Sequence, residues 1–372
     1  MTPYPREVYF SWLASAGLAP SAAREWLQAA KNDPARLLEA VTQGETAPCG
    51  LNPGPRALAV LKKNSTQQKM DLWANLCEKY GISVCTEEEA VYPASLQDIP
   101  DAPPFLFYRG QMLQQGARTA GIVGSRSASW KGLAATEKIA RELSDAGVSI
   151  ISGLAYGIDA AAHKGCLAGK SSTVAVMGCG LEQDYPAENG PLKQKILAEG
   201  GLLLSEYAPG EKPLGWHFPV RNRIISGLSQ CVILMEARIR SGSMTTVQHA
   251  LDQGRDVFVY PGEADSLKSE GNHQLLREGA IYFTSAQDIL EDMRWLDKKP
   301  EVGQNSDGTA ETEHLTQVER AILSLLRRGA MSLDELCDAT HMEAGPMMAQ
   351  LTMMQISGRI TALPGKQYGI KG

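Results

Sequence analysis

Apolar positions along the chain follow two different periods, and the change of period marks where one architecture gives way to another. Over the first 80 residues they recur at helical spacing, in VYFSWLASAGL (8–18), AAREWLQAA (22–30) and ARLLEAVTQ (35–43). Gly and Pro stand at the breaks, as between Gly50 and Pro55. This predicts short helices that must pack on one another. The proline-rich stretch VYPASLQDIPDAPPFLFYRG (91–110) predicts an extended connector ending in a short strand. From Arg118 onward, apolar runs (AGIVG, VSIIS, TVAVMG, LLLSEY, VILME, DVFVYPG) alternate with amphipathic spacers. That is the pattern of a parallel sheet with crossover helices, an α/β, doubly wound, Rossmann-like fold.

The pattern changes again at Asp297. DKKPEVGQNSDGTAETEH (297–314) is polar and nearly free of apolar residues, which predicts a flexible linker. Beyond it, TQVERAILSLLRRG, SLDELCDAT and EAGPMMAQLTMMQISG predict three amphipathic helices, and GRITALPGKQYGI a hairpin with a Pro-Gly turn. Three helices and a hairpin are the plan of a winged helix. The expected division is a helical domain at 1–80, a Rossmann-like domain at 81–296, a linker at 297–314 and a winged-helix domain at 315–372.

Composition narrows the class. With 372 residues and 43% hydrophobic content, the chain can fill the cores of two or three domains. No apolar stretch approaches the roughly 18 to 20 residues of a spanning helix, and MTPYPREVYFSWLASAGLAP lacks a basic end followed by an apolar core. A cytoplasmic protein with no membrane contact is expected. The seven cysteines are scattered and form no CxxC pair, so reduced thiols are expected, with no metal and no cofactor. A net charge of −6 means that any nucleic-acid contact must come from a local patch.

Such a patch is visible in the turns that follow the strands. HFPVRNRIISGLS (217–229) sets Arg221 and Arg223 around Asn222, just after an aromatic-proline pair. Each guanidinium can offer a planar fork of donors to a phosphate, and Phe218 can offer a flat face to a base. Taken alone, two arginines in a helix's first turn need no function. Three more turns accompany them: GIVGSRS (121–127), SGLAYGIDAAAH (152–163) and RSGSMTT (240–246). The first places Gly124, Ser125 and Arg126 between a strand and a helix, where backbone amides make an anion site. Its spacing is GxxGSR, and no acidic residue stands about 20 positions on to hold a ribose, so it does not read as a dinucleotide fingerprint. In the second, Ser152 and Gly153 end a strand, while Asp159 and His163 stand i, i+4 and can hydrogen-bond each other in a structural role. The third offers Ser241, Gly242, Ser243 and Thr245 as another anion cradle. Strand ends of an open parallel sheet converge on one edge, so these groups gather there and suit several phosphates in a row.

In order along the chain, GIVGSR, SGLAYGIDAAAH, YPAEN (185–189), SEYAPG, HFPVRNRIISGLS, RSGSMTT, GRDVFVYPG (254–262) and GNHQLLREGA (271–280) resemble the motifs of the DprA/Smf family of DNA-processing proteins. The resemblance spans about residues 85–295. It implies a non-enzymatic, sequence-tolerant protein that binds and protects single-stranded DNA, forms a homodimer through its Rossmann-like domain and helps load the recombinase RecA during natural transformation. It also implies a sterile-alpha-motif-like N-terminal domain. Family DNA contacts would fall on Gly124, Ser125, Arg126, Ser152, Gly153, Phe218, Arg221, Asn222 and Arg223. Some members carry a lysine just before the FPxRNR motif. This chain has Gly215 and Trp216 there, with Lys212 the nearest cation.

The competing enzymatic reading is a phosphoribohydrolase acting on nucleoside monophosphates. Such enzymes place a catalytic Glu after a GT turn, where SGSMTTVQ has Val247 and Gln248. A small-nucleotide sensor reporting through the winged helix is the other alternative. In the winged helix, EAGPMMAQLTMMQ holds four methionines and no basic residue, which favours core packing or protein docking over DNA reading.

Overall fold

The computed structural model describes residues 4–43, 54–296, 317–326, 330–340, 342, 344–356, 360–363 and 367–370. Its contacts divide into two compact units, Met1–Lys298 and Lys299–Gly372.

The first unit opens with five helices: α1 (Arg6–Ala14), α2 (Pro20–Ala29), α3 (Pro34–Thr42), α4 (Pro55–Asn64) and α5 (Gln67–Tyr80). Pro starts α2, α3 and α4, where the missing N–H would have had no partner in the helix anyway. The nine-stranded sheet that follows has the order β1-β2-β6-β5-β4-β3-β7-β8-β9. Its six central members are the six apolar runs: β3 (Arg118–Val123), β4 (Val148–Ser152), β5 (Thr173–Met177), β6 (Leu202–Ser205), β7 (Cys231–Leu234) and β8 (Asp256–Val259). All pair in parallel, as does the short β9 (Ile281–Tyr282). An antiparallel pair, β1 (Ser83–Thr86) and β2 (Phe105–Gly110), extends the β6 edge.

The connections explain the order. Helices α6 (Trp130–Asp145), α7 (Ile158–Leu167) and α8 (Gly190–Ala198) carry the chain stepwise from β3 to β6. Right-handed crossovers keep them on one face. Helix α9 (His217–Leu228) then returns from β6 to β7, and α10 (Gly242–Asp252) and α11 (Glu270–Arg277) lead on to β9, followed by α12 (Ala286–Asp292). The direction of travel reverses between β3 and β7, so a crevice opens at the C-terminal ends of the central strands.

The N-terminal helices bury themselves on the sheet as well as on one another. Phe105, Phe107, Met177 and Leu203 from the strands share one apolar cluster with Val8, Phe10, Trp12, Trp26 and Trp73. The Phe10 and Phe105 rings lie 4.9 Å apart. Trp73 donates its indole N–H to the Pro209 carbonyl (3.0 Å), and Arg24 forms a bidentate pair with Glu87 (2.8 and 2.8 Å). Residue 80 therefore marks a change of local structure within one compact unit, because the β2–β6 side of the sheet needs an apolar cover and the helices supply it.

The second unit contains α13 (Gln317–Leu326), β10 (Met331–Ser332), α14 (Leu333–Thr340), α15 (Ala344–Ile356), β11 (Ile360–Leu363) and β12 (Gln367–Ile370). Its strands order β10-β12-β11, the winged-helix plan. The expected linker, the Pro-Gly turn of the hairpin and Cys49 lie outside the described residues. Of the four methionines on α15, Met347 and Met354 are buried in the core, while Met348 and Met353 are exposed. Among the described residues, Cys77, Cys85, Cys166, Cys179 and Cys231 are buried free thiols, and burial pushes Cys77, Cys85 and Cys179 up to about 12. Among the described residues no helix is long and apolar enough to cross a membrane, and no group of three His, Cys, Asp or Glu side chains could hold a metal ion.

Phe107 is fully buried at the junction of helices and sheet. Phe107→Ala should cost about 3 to 5 kcal/mol in urea denaturation, with tryptophan fluorescence from the helices and far-UV ellipticity from the sheet unit falling in one transition.

Candidate nucleic-acid interface

The C-terminal ends of β3, β4 and β5, closed over by the start of α9, line a small cleft. Its floor is Gly153, Met177, Gly178 and Cys179, its walls are Tyr156, Tyr185 and Phe218, and Arg126 and Arg221 complete the lining. Both glycines are required by close approach. A Cβ on Gly153 would lie 2.6 Å from the Arg221 guanidinium, and one on Gly178 would lie 2.9 Å from the Phe218 ring.

The two arginines of the RNR run take different places. Successive helical residues turn by about 100°, so side chains two apart point to nearly opposite sides. Arg221 is buried and turns into the sheet edge, where Nη1 donates to the carbonyl oxygens of Gly153 (2.9 Å) and Val176. Arg223 turns the other way. Its guanidinium forms a two-pronged ion pair with Glu206 (2.9 and 2.7 Å), and its Nε donates to the Asp101 carbonyl (3.1 Å). Asn222 accepts from Arg221 Nε (3.3 Å) and donates to the Gly242 carbonyl (3.2 Å), tying α9 to the start of α10.

Beneath Arg221 lies Asp159, whose Oδ2 accepts from the amides of Gly153 (3.2 Å) and Ala155 (3.3 Å). Burial pushes this carboxyl's pKa up, opposed by the Arg221 charge and the two amides. Burial likewise lowers the pKa of Arg221, and Asp159 opposes it. His163 takes no part in an acid-base pair with Asp159. Its Nδ1 lies 2.7 Å from the Thr173 hydroxyl, which itself donates to the Ile150 carbonyl (2.7 Å), so Nδ1 is the donor. Burial and the nearby Arg221 hold its pKa down to about 3.

The turn after β3 is longer than its sequence suggests. Ser125 donates its amide to the Glu236 carbonyl (2.7 Å), and Gly124 packs against Ile158, where a Cβ would lie 2.6 Å from the Ile158 side chain. Helix α6 begins only at Trp130. Its N-cap, Ser129, accepts from the Gly132 amide (3.0 Å), while the buried Glu236 carboxylate accepts from the Ser129 amide (2.9 Å) and hydroxyl (2.6 Å). The anion at this helix start is therefore a side chain of the protein itself. Arg126 is exposed, with its guanidinium 5.4 Å from the centre of the Phe218 ring. Tyr185 stacks on Phe218 at 5.2 Å and 24°.

The structure thus brings Arg126, Gly153, Phe218 and Arg221 into one cleft. Ser152 is buried next to it, its hydroxyl donating to the Ile122 carbonyl (2.7 Å) between strands. Ser241 and Ser243 bond each other (2.8 Å) at the start of α10 beside the exposed Gly242, outside the cleft lining, and Lys212 is exposed on the loop before α9. Sequence reasoning does not single out Tyr156 and Tyr185. Both follow strand ends in the SGLAYG and DYPAEN turns, and aromatic residues at such positions were the available signal.

A parallel sheet whose C-terminal edge holds an exposed guanidinium over an aromatic, glycine-floored cleft defines a Rossmann-like ligand-binding fold. Residues 83–294 match the family described as DNA recombination-mediator protein A, and residues 307–366 match the DprA winged helix domain. The chain belongs to the DprA/Smf family. It is 47% identical to DNA processing protein DprA of Streptococcus pneumoniae over 199 residues, covering 54% of this chain and 70% of that one. It is 36% identical to protein Smf of Escherichia coli over 278 residues, 74% of each chain. Among solved structures, Streptococcus pneumoniae DprA superposes with a TM-score of 0.64 at 35% identity, over 78% of this chain and 99% of that one. Helicobacter pylori DprA, solved to show its single-stranded DNA binding mode, gives 0.51 at 27% identity, over 58% of this chain and 96% of that one.

The uncharged imidazole of His163 makes stability depend on pH. The unfolded chain takes up a proton below the ordinary histidine value of 6.5, whereas the folded chain does not until about pH 3. Its contribution is fully present above pH 6.5 and is lost as pH falls from there toward 3. Urea midpoints measured across this window should decline less steeply for His163→Gln than for the parent protein.

Proposed function

We propose that the chain is a sequence-tolerant single-stranded DNA-binding protein that acts in recombination, protecting the strand and helping to load RecA, as a cytoplasmic homodimer without catalysis. The observation that carries the DNA reading is the pairing of Arg126 with Phe218 at the mouth of the cleft. Arg126 is exposed and has no ion-pair partner among the described residues, so it is available to a phosphate. The ring beside it and those of Tyr156 and Tyr185 are of the kind on which bases stack without regard to sequence. The Helicobacter pylori relative, whose structure concerns single-stranded DNA, supports the same reading. RecA loading, the homodimer and the absence of catalysis rest on family membership.

Arg221 shapes the cleft from below, and Arg223 holds Glu206, so contact with the strand falls chiefly to Arg126. Gly124, Ser125, Ser152, Asn222 and Ser241 to Ser243 act mainly by setting the turns, and Lys212 adds a charge on the approach. The hydrolase reading is the weaker one. No carboxylate lines the cleft among the described residues, Val247 is buried, and Gln248 donates to Asp252 (2.8 Å) on its own helix.

Fluorescence anisotropy with a labelled single strand tests the assignment. Arg126→Ala should weaken binding about equally on all sequences and reduce the slope of log affinity against log salt by about one. Arg223→Ala should instead lower stability by about 1 to 3 kcal/mol, because it leaves Glu206 without its partner, and should change the salt slope little. Undiminished affinity in Arg126→Ala would remove the proposed site.

A further inference from the structure

The four tryptophans Trp12, Trp26, Trp73 and Trp295 are at most 7% exposed, whereas Trp130 is 74% exposed and Trp216 is 61% exposed. These are the six indoles of the chain. A single exposed apolar side chain needs no explanation. Trp130 differs in its setting. It opens α6, on the same turn as Arg126, and the Lys131 ammonium lies 5.9 Å from the centre of its ring. An exposed aromatic surface that follows the exposed Arg126 guanidinium is matched to an unpaired nucleic-acid strand, which offers a flat base and a negative phosphate at each step.

Topology places the two exposed indoles on different sides of the cleft. Trp216 precedes α9, on the turn that follows β6. The start of α6 leans the other way, since Ser129 bonds Glu236 beyond the end of β7 and Lys131 pairs with Glu263 beyond β8. Strands β6 and β7 stand four places apart in the sheet, a distance of about 19 Å. The cleft, with Phe218, Tyr185 and Tyr156, lies between. We infer that Trp130 is a stacking step for a single strand that crosses the sheet edge transversely, from Trp216 over the cleft and past Arg126 to the start of α6. This inference rests on the single-stranded DNA reading and extends it with a path, a length and a terminal platform. A short oligonucleotide satisfies the cleft alone. A longer one reaches Trp130.

The test uses the full-length protein with Trp216→Phe, in which Trp130 is the one strongly exposed indole. It is titrated with oligothymidylates of about 4 and about 12 nucleotides, following tryptophan emission and, in parallel, anisotropy of labelled oligonucleotide. The expected result is quenching by the longer oligonucleotide that disappears in Trp130→Phe/Trp216→Phe. Trp130→Ala in the parent background should bind the longer oligonucleotide roughly tenfold more weakly and the shorter one unchanged. Binding of the longer oligonucleotide without quenching, or with undiminished affinity in Trp130→Ala, overturns the path while leaving the DNA reading intact. Failure of the parent protein to bind either oligonucleotide overturns both. Because Trp130 lies on the surface, thermal melts of the variants should match the parent, and a retained melt with lost long-oligonucleotide affinity separates contact from misfolding.

Discussion

The buried guanidinium of Arg221 is the constraint on which the cleft depends. It ties α9, on which it sits, to the C-terminal ends of two neighbouring strands, the turn after β4 through Gly153 and the end of β5 through Val176. A charge in this position is costly to bury unless every donor finds an acceptor and a counter-charge stands near. The Gly153 and Val176 carbonyls and the Asn222 side chain accept from its Nη1 and Nε, and Asp159 supplies the counter-charge. Asp159 in turn holds the amides of Gly153 and Ala155, so the floor of the cleft is fixed from both ends of the same peptide turn. The absence of a side chain at Gly153 is what lets the guanidinium approach, and the arrangement leaves Arg126 as the cation that faces outward.

Much of this was legible in the sequence because two periods were clean. Strands buried on both faces write continuous apolar runs, and all six runs became central parallel strands. The reversal of strand order followed from connection rules, and with it the edge where ligands bind. The N-terminal helices and the winged helix were legible for the same reason. What stayed hidden depended on partners distant in sequence. Phe105 and Phe107 meet Phe10 and Trp12 across most of the helical region, so the shared core has no local signature.

The arginines illustrate the limit more sharply. From sequence HFPVRNR reads as a phosphate grip; in the folded helix Arg221 lines the cleft from a buried position while Arg223 turns the other way to Glu206. The i, i+2 spacing within a helix was the available warning. Likewise Asp159 and His163 had the spacing to bond each other, but each found a stronger partner, the one in two backbone amides and the other in Thr173. Local spacing permits a contact; the competing acceptors of the fold decide whether it forms.

The Glu236 carboxylate lies against the start of α6. By placing its own carboxylate against the first turn of α6, the protein satisfies with an internal charge the dipole that Rossmann-like folds commonly turn toward a bound pyrophosphate. A free mononucleotide or dinucleotide therefore finds no vacant helix terminus at this turn and must rely on isolated side-chain contacts, each weak alone. A polymer that touches several such contacts at once gains from their sum. A helix start that already faces an internal carboxylate disfavours a single small anion at this turn.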